Sequence, residues 1–406
     1  MTGERYDVVV VGARCAGAST ALLLARRGYR VLLLDRASLP SDTLSTHYIH
    51  PGGLALLARW GLLDALMATG CPPIQRISHQ VGDVRLEAMA PAADGVGFSC
   101  APRRQVLDAV LADAAVPAGA QLRDGCEVLD VTFDRGRATG VTYRTRAGAR
   151  DTVAAGLVVG ADGMRSTVAQ LVGAPTESEA PRLTCIYYTY WTGIGADFEL
   201  CEQPRRLVGA MPTHGDQTLV CAYFPSAEFA QVRGRAWDSY LDNIRATAPG
   251  LFERVAAGTR TERLRGTNDQ RNFFRQACGP GWVLVGDAGH HKDSITARGI
   301  TDAFEQAAML AVCVADGLHD EARLRDGLHR FAEQRRARFT PLYKTALLAG
   351  SLDVSPYRLE VLRFLSTRPE LVERYFAVGA GIIESEQLFN RQLFAQMSAF
   401  RAGAPG

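Results

Sequence analysis

The sequence predicts the α/β class in three parts: a core built on a parallel sheet, an inserted antiparallel sheet, and a helical carboxy-terminal region. Three observations carry this reading. An apolar run at 7–11 enters a glycine-rich turn, then helical spacing, then a second apolar run at 31–34 that ends in Asp35. A second strand, turn and helix occupy 282–315. Between them, residues 181–275 are rich in aromatic and β-branched residues, with a hairpin signal at Gly215 and Asp216.

Composition bounds the function. The chain has 406 residues, 47% hydrophobic and 22% charged, enough for two to three domains and a large core. A net charge of +2 gives no basic footprint for nucleic acid or for a membrane surface. Nine cysteines without close pairing fit reduced thiols, and no secretory leader or long apolar run is present, so a cytoplasmic, unanchored protein is expected. Lysine occurs only at Lys292 and Lys344. That arginine bias points to a high-GC source.

Taken in order, Gly12-Ala13-Arg14-Cys15-Ala16-Gly17 between two strands, with Asp35 and Arg36 at the end of the second, has the context of a Rossmann-like dinucleotide fingerprint. Arg14 stands at the middle glycine's place, where its guanidinium can meet phosphate. The motif alone does not separate FAD from NAD. Residues 41–47 lack periodicity and read as a polar loop containing Thr46 and His47. His47 and His50 are three apart, but no further ligands lie nearby, so metal is not expected. An amphipathic helix is expected over 53–68, and strands over 77–98 with turns at Gly82 and Gly95. Arg104 begins a helix, 128–153 reads as a meander, and a Val-rich strand ends at Asp162 and Gly163. In the inserted sheet, Tyr188, Tyr190 and Phe224 are candidate pocket residues, His214 is expected exposed in its turn, and a helix is expected over 237–255. Then Gly286-Asp287 places a carboxylate at a sheet's carboxyl edge, and the helix after Gly299 and Ile300 points free N–H groups at the same crevice. Helices are expected at 324–345, 357–365, 370–376 and 384–400.

These motifs resemble those of the p-hydroxybenzoate-hydroxylase-like flavoproteins, FAD-dependent monooxygenases that include actinomycete tailoring enzymes. Asp287, His290 and Gly299 match the family's Gly-Asp motif, Arg104 its Arg-x-x-Leu helix, and Asp162, Gly163, Arg165 and Ser166 its Asp-Gly motif. Ser294 stands where proline is usual and Ala297 where a glycine is usual. The resemblance implies FAD held by Gly12, Arg14, Ala16, Gly17, Asp35, Arg36, Thr46, Arg104, Asp162, Gly163, Gly286, Asp287, Gly299 and Ile300. It implies an FAD-binding domain of 1–75, 100–180 and 276–315, a substrate-binding sheet domain of 76–99 and 181–275, and a helical region of 316–406. It further implies NADPH or NADH as reductant, molecular oxygen as co-substrate, and oxygen transfer from a flavin hydroperoxide to an aromatic or polycyclic small molecule. If a base is needed, His47, His290 and His291 are candidates, none assigned. Reduction of a prenyl double bond, as in geranylgeranyl reductases, is the main alternative. Flavin-dependent halogenation, with a separate reductase, is disfavoured because the first 290 residues contain no lysine and no Trp-x-Trp motif is present.

Overall fold

The computed structural model describes residues 4–315 and 317–403. Its first sheet centres on Arg5–Val11, which pairs in parallel with Val31–Leu34 on one side and Arg150–Gly160 on the other. Gln121–Arg123 and Trp282–Leu284 extend it in parallel at the two flanks. The central strand reads Val-Val-Val-Val because both its faces are covered, as parallel sheets require. The helices Cys15–Ala25, Arg104–Ala115 and Gly299–Cys313 share one core on one face, with Val8, Val10, Leu22, Leu111, Phe304 and Leu310 fully buried. The other face is closed by the hairpin Glu127–Asp134 and Arg137–Arg144.

A second sheet runs Thr259–Arg260, Thr184–Thr192, Gln217–Pro225, Arg206–Thr213, Phe198–Gln203, Arg76–Val81, Val84–Met89. Its pairings are antiparallel except one. Phe198–Gln203 lies parallel to Arg76–Val81, so the sheet is mixed rather than purely antiparallel, because the second hairpin enters from an earlier, distant segment of chain. Thr176–Ala180, Asn272–Arg275 and His290–His291 form a small third, antiparallel sheet.

Three expected helices are broken. The helix of 53–68 is two, Pro51–Arg59 and Leu63–Met67, because Gly61 takes φ +69°. The helix of 237–255 is Ala236–Thr247 followed by Pro249–Ala257; Pro249 has no N–H to continue the first and opens the second at its favoured position. At 384–400 a new helix, Arg391–Gly403, begins where the Asn390 side chain accepts from the Leu393 N–H at 3.0 Å. By contrast, 324–345 is longer than expected, Glu321–Gly350, with Pro341 inside it. The last helices pack on the inner face of the second sheet, where Val361, Leu365 and Phe376 share one core with Tyr188, Tyr190 and Phe198. No helix among the described residues is long and apolar enough to cross a membrane.

Candidate active site

A cleft of about 480 Å³ opens at the carboxyl ends of the parallel strands, lined from the glycine turn to the start of the Gly299–Cys313 helix. The two glycines of the turn leave no room for side chains of their own. At Gly12, with φ +100°, a Cβ would lie 2.4 Å from the Ala161 carbonyl oxygen, and at Gly17 it would lie 1.6 Å from the Gly12 carbonyl oxygen. The helix beginning at Cys15 can therefore seat its N-terminus directly on the strand ends, with Ala16 in its first turn lining the cleft.

Around this turn, several polar groups are held in place with part of their bonding capacity unused. Asp35 accepts from the Ala13 N–H at 2.7 Å and the Ala37 N–H at 2.8 Å, which fixes its carboxylate at the cleft, beside Arg36. Arg14 donates to the Ser41 hydroxyl at 2.9 Å, while its Nη1 is buried with no hydrogen bond, 3.9 Å from Asp108 Oδ2. Arg104 forks onto Asp108 at 3.0 and 3.1 Å, one helical turn on. Asp108 is fully buried and was not singled out by the sequence, although its spacing from Arg104 is that of a helical ion pair. Asp287 lines the cleft and has no hydrogen-bond partner among the described residues. A Cβ at Gly163 or Gly299 would meet nothing within 4 Å. Gly286 takes φ +62° and donates its N–H to Gln306 at 3.0 Å, tying the strand end to the next helix, whose Ile300 also lines the cleft.

Asp162 behaves differently. Its carboxylate is engaged within the protein, accepting from Ser166 Oγ at 2.5 Å and from the Thr167 and Val168 N–H groups at 2.7 and 3.1 Å. It caps the Thr167–Leu171 helix, so it is Gly163 that presents open backbone to the cleft. The two departures from the family pattern also have local reasons. Ser294 donates its N–H to Gln270 at 3.1 Å, a bond proline lacks, and its hydroxyl shares a bond with Tyr223 at 2.9 Å. Ala297 adopts φ +52°, the left-handed conformation a glycine takes freely, at a cost of about 1–2 kcal/mol.

The three histidines separate. His47, at φ +64° and fully buried, shares a 2.5 Å hydrogen bond with the Tyr190 hydroxyl, leaving Nδ1 unpartnered. Burial, with the guanidinium groups of Arg104, Arg103 and Arg265 behind it, drives its pKa well below the ordinary range. His50 turns instead to the Thr296 carbonyl at 3.1 Å, so the two do not converge as ligands. His290 stacks on Phe274 at 4.2 Å between centroids, with neither ring nitrogen partnered, and burial keeps it neutral too. His291 bonds through Nδ1 to the Arg271 carbonyl. Among the described residues no cluster of three metal-ligating side chains occurs.

Thr46 lines the cleft, and beside it the Ser45 N–H donates to the Tyr188 hydroxyl at 3.3 Å. Tyr188 and Tyr190 thus sit behind this loop, on the inner face of the second sheet. Phe224 does not join them. It pairs in register with Cys185 and packs on the outer face with Tyr187, under Tyr240 and Ile244, which corrects its assignment to the pocket. His214 is half-buried rather than exposed, accepting from the Arg103 N–H at 3.1 Å. Lys292 and Asp302, also unassigned from sequence, line the cleft as an ion pair.

The groups left open around the cleft are those a dinucleotide flavin needs: a guanidinium nitrogen without a hydrogen bond and a helix N-terminus for the pyrophosphate, an unbonded carboxylate for hydroxyls, and bare backbone at Gly163 and Gly299 for a flat ring. Arrangement and motifs together define a flavin-binding oxidoreductase. The family model described as FAD binding domain matches residues 5–346, and the chain belongs to that family. FAD is its cofactor, and the monooxygenase relatives imply a nicotinamide reductant and oxygen as co-reactants. It is 26% identical over 371 residues to 6-methylpretetramide 4-monooxygenase of Streptomyces rimosus, covering 84% of this chain and 81% of that protein. It is 27% identical over 332 residues to menaquinone reductase of Mycolicibacterium smegmatis, covering 77% of each. Among solved structures, the myxobacterial chondrochloren halogenase CndH superposes with a TM-score of 0.78 at 22% identity, covering 99% of this chain and 98% of that one; this likeness shows the fold alone.

Proposed function

We propose that this flavoprotein is an NAD(P)H-driven monooxygenase that inserts one oxygen atom, by hydroxylation or epoxidation, into an aromatic or polycyclic small molecule in natural-product tailoring. The observation that carries the reading is a set of three tyrosine hydroxyls on one sheet face, each bonded to a loop beside the cofactor cleft: Tyr188 to Ser45, Tyr190 to His47 and Tyr223 to Ser294. An aromatic wall fixed by its own hydroxyls suits a flat aromatic substrate better than a wholly aliphatic one. The 6-methylpretetramide 4-monooxygenase relative supports it.

FAD held by the glycine turn, Asp35, Asp287 and the backbone at Gly163 and Gly299 would supply the redox chemistry between NAD(P)H and oxygen, of which one atom would go to substrate and the other to water. The protein's part is orientation and exclusion of water. His47 holds the Tyr190 hydroxyl, and the Arg103 guanidinium lies 4.0 Å from the Tyr190 ring centroid, so the wall is fixed from both sides. The N-terminus of the Gly299–Cys313 helix favours negative charge at the cleft. Segments 1–75, 100–180 and 276–315 form the cofactor part in this reading, 76–99 and 181–275 the substrate part, and 316–406 the helical region that backs it. The free cysteines of the described residues support a reducing compartment, the cytoplasm.

The test is anaerobic mixing with NADPH and with NADH, followed by aeration under ¹⁸O₂ with polycyclic phenols. Flavin bleaching by either nucleotide and ¹⁸O in the product are expected. The menaquinone reductase relative favours a second reading, reduction of a prenyl carbon–carbon double bond. A product two hydrogens heavier with no ¹⁸O would establish that reading instead.

A further inference from the structure

Among the described residues that line the cleft, the family motifs leave one cation unaccounted for. Lys292 lies two residues past His290, lines the cleft with its side chain 5% exposed, and donates through Nζ to Asp302. Asp302 sits in the first turn of the Gly299–Cys313 helix and accepts from Arg298 Nε at 3.1 Å. Arg298 reaches Glu305 at 3.0 Å, and Glu305 in turn accepts from Arg338 at 2.7 Å. The connected set is three cations and two carboxylates, Lys292, Arg298 and Arg338 against Asp302 and Glu305, with one positive charge unmatched. Arg298 and Arg338 spend further donors on the Ala380 and Gly381 carbonyls, away from the cleft. Lys292 is the member whose surplus charge borders the cleft.

A buried surplus charge is costly unless something anionic answers it. Asp287 in the cleft adds attraction, while His290 and His50, the other titratable neighbours, are held neutral by burial. Burial, with Arg298 adding repulsion, pushes the Lys292 ammonium down to about 7, so an anion nearby restores its full charge. The group that gains negative charge here is the flavin ring: two electrons and one proton convert the neutral oxidised ring to a reduced anion. We propose that Lys292 is the cation that stabilises the anionic reduced flavin in this cleft, and that Asp302 is its positioning residue. The inference rests on FAD binding alone and holds for a hydroxylase or a reductase.

Its test is the flavin midpoint potential and the affinity for sulfite, an anion that adds to oxidised flavin, in FAD-loaded wild type, K292M, K292R and D302N. K292M is expected to bind FAD, to weaken sulfite binding at least tenfold, and to lose about tenfold in preference for the reduced flavin, a potential about 30 mV lower for two electrons. K292R should stay within threefold of wild type, and D302N should fall between. K292Q, which keeps a hydrogen bond to Asp302, replaces K292M if the latter does not fold. A neutral variant that carries FAD with wild-type potential and sulfite affinity overturns the proposal and leaves Lys292 a purely structural ion pair.

Discussion

The two ends of the cofactor cleft are built on opposite rules. At the glycine turn, Arg14 keeps a nitrogen without a hydrogen bond and Asp35 keeps unbonded lone pairs, and most of the residues come from one stretch, 12–36. At the far end, Asp162, Tyr188, Tyr190 and Ser294 already spend their polar groups on the protein, across sequence separations of up to 143 residues. Open valence marks where a ligand is to be held. Closed valence marks where the cleft's shape is to be held. Substitutions at the open end should therefore change flavin binding with little change in fold stability, and those at the closed end the reverse.

The harshest challenge to that division is Gly12→Ala, because there the open end has no slack. Its Cβ would lie 2.4 Å from a backbone oxygen at φ +100°, so the purified variant is expected to be colourless and to melt lower than wild type. Retained stoichiometric flavin, read by absorbance, would break the comparison. Next comes acid. His47, His50 and His290 are buried and neutral, His50 with a pKa pushed down to about 3. Their folded pKa values lie below the unfolded value of about 6.5, so below that pH the unfolded chain binds more protons and stability falls, by up to about 1.4 kcal/mol per histidine per pH unit. Urea unfolding of the apoprotein at pH 7 and pH 5 should show the loss, and His50→Gln should reduce it. Third, Arg14→Ala removes a charged donor worth about 1.5–3 kcal/mol. FAD affinity should drop roughly 10- to 100-fold by fluorescence titration, with the apoprotein's melting temperature unchanged. The smallest effect belongs to Ala297→Gly. Relief of left-handed strain, offset by glycine's greater chain entropy, leaves a gain under about 1 kcal/mol, seen as a slight rise in melting temperature.

The same division explains what the sequence could reveal. The strand, turn and helix at 7–35 and at 282–313 are short-range patterns, and both were readable from spacing. Phe224 was misplaced because facing depends on register. Opposite Cys185 in an antiparallel pair it shares the face of Cys185, Tyr187 and Trp191, while Tyr188 and Tyr190 point the other way. Gly61 and Pro249 were visible breakers inside apparent helices and deserved more weight than the apolar periodicity around them. Asp108 was legible as the fourth residue after Arg104. The roles of Gln270, Tyr223 and Asp302 were not, since each is defined by a partner brought close only by the fold or by one of the chain's two lysines.

The ion chain from Lys292 to the carbonyls of Ala380 and Gly381 also sets how this protein can be recombined with its relatives. A crossover placed near residue 346, where the family match ends, would separate Arg298 from its acceptor at 380 and Arg338 from its acceptor at 381. The buried Arg298 guanidinium would be stranded in any such hybrid whose tail does not return a carbonyl to the same place. Exchange of helical tails between family members should succeed only when the junction lies beyond Gly381, or when Arg298 and Arg338 travel with the tail.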